Sequence, residues 1–184
     1  MMNLAQWNIH NNNPEQWSLE GGVLTVQVSE GNIFGAGSAD VDNIFVHPTS
    51  QSSYGVEVTV NLSPKRAFEQ AGLGIYWDND NYIKLSKEMF MGERSLVFVV
   101  EKNGQPDIKE RLLFDQESVL IKLEKSINKV SAYFRLEGKD EWQPILSTDT
   151  LVGDEQGVML YTFSGSSITP NMAQFSDFQL TDLD

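Results

Sequence analysis

Lys84 and Glu88, four apart on an alternating run, are the side chains whose types and spacing invite a chemical reading. They belong to QAGLGIYWDNDNYIKLSKE at residues 70–88. Tyr82, Lys84, Ser86 and Glu88 fall on one parity there, and on a preceding run Gln70, Gly72, Gly74 and Tyr76 share a parity. Sugar recognition needs a flat ring to lie on the apolar face of a pyranose, and planar polar groups to bond its hydroxyls. Gln70, Tyr76, Tyr82, Lys84 and Glu88 supply both, and so do Tyr133 and Arg135 further on. On a strand Lys84 and Glu88 point the same way but lie ~13 Å apart, too far to pair directly. Each must find a partner on a neighbouring strand or in a ligand. Gly72 and Gly74, without side chains, would leave a trough beside Tyr82 and Lys84, because glycine inside a strand marks close approach by something.

Other chemistries fit less well. Glycoside hydrolysis needs two carboxylates about 5 to 10 Å apart, and no Glu-x-Asp-x-Glu run occurs, so no catalytic pair is expected. The glycine pairs at 35/37 and 72/74 lack the third glycine of a dinucleotide fingerprint, and there is no Walker-type Gly-Lys-Ser/Thr. His10 and His47 have no ligand-like spacing, and there is no cysteine, which removes thiol catalysis, disulfides and thiolate metal sites. Asp78-Asn79-Asp80-Asn81 begins like a calcium loop but continues with Tyr82-Ile83, where an oxygen ligand and glycine belong. It reads as a turn. Asp177, between Phe175 and Phe178, is the better calcium candidate because it interrupts a buried-looking pattern; the plain alternative is an Asp on a bulge facing water. No cofactor is required.

These side chains must be positioned by strands. Tyr54, Val56, Val58, Val60 and Leu62 alternate with Glu57, Thr59 and Asn61, the period of a half-buried strand. Leu96–Val100 is apolar on both parities, as in a central strand covered on both sides. Asn103-Gly104 signals a hairpin, and Val119–Leu123 with Val130–Leu136 forms another alternating pair. About a dozen short strands are expected, with a single turn around Lys65–Glu69 as the one helix signal. The class is all-β, two antiparallel sheets face to face, in one domain over residues 1–184. Trp7, Trp17, Trp77 and Trp142 all sit in apolar-periodic surroundings and read as core.

With 13 basic and 26 acidic residues the net charge is −13. Phosphate backbones and anionic leaflets repel such a surface, so neither nucleic acid nor membrane is an expected partner. The first residues have no basic and apolar signal-peptide pattern, and no apolar run approaches the ~18 residues of a membrane span. A cytoplasmic location is the expectation.

Trp17-x-Leu19-x-Gly21-Gly22-x-Leu24, Asn43-Ile44-Phe45-x-x-Pro48, the 70–88 stretch, Glu101-x-Asn103-Gly104, VSAYFRLEGKDEW and Phe175-x-Asp177-Phe178 follow one another along almost the whole chain. In this order they resemble the concanavalin A-like, laminin-G-like sandwich domains, especially the C-terminal accessory domain of family-43 β-xylosidases. They are similar also to stand-alone domains grouped with the regulation-of-enolase protein. The resemblance implies a jelly-roll sandwich with one concave sheet, where relatives present carbohydrate or lean on a catalytic domain. It implies a recurrent motif at Gln70, Gly72, Tyr82, Lys84 and Glu88, and a structural calcium near Asp177. Two functions follow: a non-catalytic carbohydrate-binding module taking an oligosaccharide, and an intracellular domain binding a protein partner.

Overall fold

The computed structural model describes residues 1–37, 40–166 and 170–184. Its strands are β1 (Asn8–His10), β2 (Trp17–Glu20), β3 (Val23–Val28), β4 (Ile44–His47), β5 (Tyr54–Asn61), β6 (Gln70–Asp78), β7 (Asn81–Phe90), β8 (Glu93–Lys102), β9 (Gln105–Leu113), β10 (Ser118–Lys125), β11 (Lys129–Arg135), β12 (Gln143–Asp149), β13 (Gly157–Phe163) and β14 (Asn171–Asp182). They form two seven-stranded sheets, β1-β4-β13-β6-β7-β8-β9 and β12-β11-β10-β5-β14-β3-β2, with antiparallel neighbours throughout. This is the all-β jelly-roll sandwich expected. The one helical turn described is the 3-10 segment Pro14–Gln16, opened by a proline that suits a first helical position; the single turn expected at Lys65–Glu69 forms, with Glu69 N donating to Arg66 O at 3.1 Å, but it is not helical.

Alternation decides which side chains meet. Val56, Val58 and Val60 of β5 face Leu73 and Ile75 of β6, Ile83 and Leu85 of β7 and Phe98 of β8 across the sandwich, in a core that also takes Trp7 and Trp77. The hairpin β6–β7 has the expected faces and a tighter turn. Asp78 pairs with Asn81 and a bulge at Trp77 absorbs the odd residue, so the loop is Asn79-Asp80 alone. Trp142 departs from the core reading. It lies half-buried on the outer side of the second sheet, its ring 4.5 Å from Lys122 Nζ and 4.8 Å from the Arg135 guanidinium carbon.

The outer side of the first sheet is covered as well. Ile33 and Val41, from the segment before β4, pack with Ile44, Val46, Tyr76, Tyr82, Met159, Tyr161 and Phe163 in a second apolar cluster. β6 and β7 are therefore buried on both faces although their outward parity carries Gln70, Lys84, Ser86 and Glu88, while β8, buried on both faces as well, is apolar on both parities over Leu96–Val100.

Candidate functional site

The pairing register sets Gln70 opposite Glu88, Gly72 opposite Ser86, Gly74 opposite Lys84 and Tyr76 opposite Tyr82. All of these face outward, away from the core. Lys84 Nζ donates to Gln70 Oε1 at 2.5 Å, and Gln70 Nε2 donates to Glu88 Oε2 at 3.3 Å. Ser86 Oγ donates to Glu88 Oε1 at 2.7 Å. Gln70 thus bridges two charges that their own strand holds too far apart to touch. Lys84 makes no ion pair among the described residues and lies 5.3 Å from the ring centres of both Tyr161 and Phe163. Burial holds its ammonium pKa below the ordinary lysine value, against the charges of Glu88 and Glu101.

These three side chains form part of the floor of a cleft of about 870 Å³. Its walls are apolar: Phe34, Phe68, Phe90, Met91, Val97, Val99, Ile108 and Phe163. Glu30 and Asp40 stand exposed on its border. Among the described lining residues Lys84 is the one cation. Aromatic rings above a short chain of donors and acceptors are what a hydroxylated ring requires: a face to stack on and paired groups at its edge.

Tyr82 and Tyr76 do not line this cleft. Tyr82 is fully buried, its one hydroxyl proton shared between Ile33 O at 2.8 Å and Glu101 Oε1 at 3.1 Å under the segment that precedes β4. Tyr76 is covered too and donates to Asn79 Oδ1 at 2.6 Å; burial, with the nearby Asp78 charge, pushes its pKa up to about 12. Glu101 accepts from Gly35 N at 2.5 Å as well as from Tyr82. Its Oε2 is buried without a partner among the described residues, and burial raises its carboxyl pKa.

The glycine trough is corrected. A Cβ on Gly74 would lie 2.5 Å from Met159 Cε, and one on Gly72 would lie 2.6 Å from the Tyr161 hydroxyl. β13 fills the space the glycines leave, so the close approach is by the protein itself. Gly72→Ala is expected to cost about 1–3 kcal/mol in a urea titration, because Leu85 O at 2.5 Å and Ser86 Cα at 2.9 Å are backbone and cannot turn aside. Gly55→Ala, with nothing nearer than 3.8 Å, is the neutral comparison.

Tyr133 and Arg135 are corrected as members of a single face. They stand on β11 of the other sheet, pointing away from the core where Val130 and Ala132 point into it. Tyr133 packs on Lys122 at 4.8 Å and Arg135 on Trp142. Parity placed them outside correctly; the sheet was not legible. Asp177 sits exposed on the bulge of β14 with φ 54°, accepting from Thr59 Oγ1 at 2.9 Å and Ser176 Oγ at 3.3 Å. Among the described residues no group of three or more acidic, histidine or cysteine side chains is arranged to hold an ion, there or elsewhere.

Sequence reading missed Phe34, Phe68, Phe90 and Phe163 as walls. The available signal was Ile33-Phe34, an apolar pair inside a Gly/Ser/Asp-rich connection.

Residues 4–180 match the family model described as the beta xylosidase C-terminal concanavalin A-like domain. No curated protein matches the chain. The GH43 BlXynB protein from Bacillus licheniformis is similar in structure, with TM-score 0.82 at 21% identity over 96% of this chain and 36% of its own. A functionally unknown protein from Saccharomyces cerevisiae aligns with TM-score 0.77 at 17% identity over 98% of each chain. The carbohydrate binding module CBM66 from Bacillus subtilis aligns with TM-score 0.66 at 13% identity over 99% of each. At these identities the likeness is one of fold, and the chain spans little more than a third of the Bacillus licheniformis protein.

Proposed function

Because the chain belongs to the family of beta xylosidase C-terminal concanavalin A-like domains, we propose that it is a non-catalytic carbohydrate-binding module whose ligand sits in the cleft on the outer face of the first sheet. The observation that carries this reading is the Lys84–Gln70–Glu88 chain at the floor of a cleft walled by aromatic rings. Lys84 donates to one hydroxyl and Glu88 accepts from its neighbour, while Gln70 holds the two side chains at their spacing. Phe34, Phe68 and Phe90 offer faces for the apolar side of a sugar ring. The volume suits roughly two such rings. With Glu88, Glu30 and Asp40 bordering the cleft against the single cation Lys84, a neutral oligosaccharide fits better than an acidic one. The fold likeness to a carbohydrate binding module supports the same reading.

Calorimetric titration with xylotetraose, cellotetraose and mannotetraose tests it. At least one of them is expected to bind, and Glu88→Gln to weaken that binding roughly tenfold, as for the loss of one charge-assisted hydrogen bond. Tyr133→Ala and Arg135→Ala, on the other sheet, are expected to leave affinity unchanged. No heat from any of these sugars, or an equal loss in the Tyr133 and Arg135 variants, removes the assignment.

A further inference from the structure

We propose that Phe68 and Met91 form a pre-set apolar lip that lies against the ring face of the bound sugar and sets the affinity of the cleft, a role that rests on the carbohydrate reading above. Both side chains line the cleft, and both stand on left-handed backbone, at φ 58° and 49°. For large side chains that conformation is an outlier, and such outliers persist where surrounding structure imposes them. Met91 occupies the first position of a two-residue turn with Gly92, φ 83°, between the paired Phe90 and Glu93. That position ordinarily takes Asn, Asp or Gly. Neither residue is compensated by burial: Phe68 is 48% exposed and Met91 76%. The chain thus holds two greasy side chains in disfavoured backbone and leaves them in water at the mouth of the aromatic-walled cleft.

The conformation is imposed from below. Glu69 is fully buried, pairs with Arg66, and accepts from Lys65 N and Asn171 Nδ2, each at 2.9 Å. Arg66 in turn donates to Ser166 O at 2.6 Å and Val28 O at 3.0 Å. This network pins residues 66–69 to three separate parts of the chain. Phe68 N then donates to Met89 O at 2.9 Å and Met89 N to Glu69 O at 3.0 Å, so the two left-handed residues ride on one hydrogen-bonded unit. Phe90 props the lip: its ring meets Phe68 edge-on at 6.3 Å and carries the Arg111 guanidinium at 5.3 Å. An aromatic fixed in place before the ligand arrives loses little freedom on binding, which raises affinity.

A lip of this kind trades stability for binding, and the trade is measurable. Phe68→Gly and Met91→Asn place residues suited to left-handed backbone at the same positions. Thermal melts are expected to stay level or rise by about 2–4 °C. Titration with the same tetrasaccharides is expected to show roughly tenfold weaker binding for Phe68→Gly, the loss of an aromatic anchor, and about threefold for Met91→Asn. Phe68→Trp keeps a ring on the lip and is expected to stay within about twofold of the native affinity. Unchanged affinity in Phe68→Gly overturns the lip while leaving the cleft assignment standing. Should melting temperature and affinity fall together in Phe68→Gly, recovery of affinity in Phe68→Trp supports the lip and failure to recover overturns it. A native chain that binds none of the sugars overturns both readings.

Discussion

Tyr82→Ala is expected to destabilise the protein by about 3–5 kcal/mol, because the position is core in everything but parity. The ring is fully buried among Ile33, Val41, Tyr76 and Met159 on the outer side of the first sheet. Truncation opens a cavity there and frees the segment before β4, which the Tyr82 hydroxyl holds through Ile33 O. Tyr82→Phe separates packing from hydrogen bonding. It keeps the ring and removes one of the two donors to Glu101 Oε1, leaving Gly35 N as the other. That variant is expected to lose about 1–3 kcal/mol, with a pH dependence of known sign. Burial already raises the Glu101 carboxyl pKa above the ordinary carboxylate range, so folding favours its protonated form. Its contribution is fully present below the unfolded value and is lost as pH rises through the raised folded one. Removing a donor to the carboxylate raises the folded pKa further and widens that window. Chemical denaturation at several pH values checks this: the gap between native and Tyr82→Phe grows from acid to neutral pH, and a gap independent of pH rules out Glu101 as its source.

Much of this architecture was legible because period-two alternation is a physical requirement of a half-buried strand. Tyr54–Leu62 announced β5 together with its inward face, and residues 70–88 announced a hairpin with the correct side chains on each side. Parity, however, separates the core side of a strand from the other side and is silent on what covers the other side. Tyr82 and Lys84 share a parity, yet one is sealed under Ile33 while the other meets the cleft. Tyr133 and Arg135 repeat the same outward pattern on a different sheet, and only strand order separates them from Lys84. The glycines at 72 and 74 signalled close approach truthfully, but Met159 and Tyr161 approach from β13, far away in sequence, and no local pattern names them. Phe68 and Met91 lie in turns, where side chains follow no period. Their role is visible only in backbone angles.

Lys84→Met is expected to abolish sugar binding while leaving stability within about 1 kcal/mol of native, whereas Lys84→Ala costs about 2–4 kcal/mol through the cavity it leaves. The difference follows from what surrounds the amine. Its hydrogen-bond partner is the neutral Gln70, and two aromatic rings flank it at 5.3 Å, surroundings that suit a thioether as well as an ammonium. Removing the charge also removes the cost of burying it. Titration separates the charge from the shape. Burial holds the folded pKa of Lys84 below the ordinary lysine value of 10.5, so the unfolded chain holds this proton more tightly. Native stability therefore gains as pH rises from the lowered folded pKa toward 10.5. Binding runs the other way, since the ammonium that donates to a sugar hydroxyl is lost over the same interval. Denaturation and sugar titration, each followed from neutral to alkaline pH, are expected to show opposite slopes in the native protein. In Lys84→Met the stability gain is expected to shrink to the share that Lys87 contributes, since burial lowers that lysine to about 8; a stability curve that superimposes on the native one rules out Lys84 as a source of the gain.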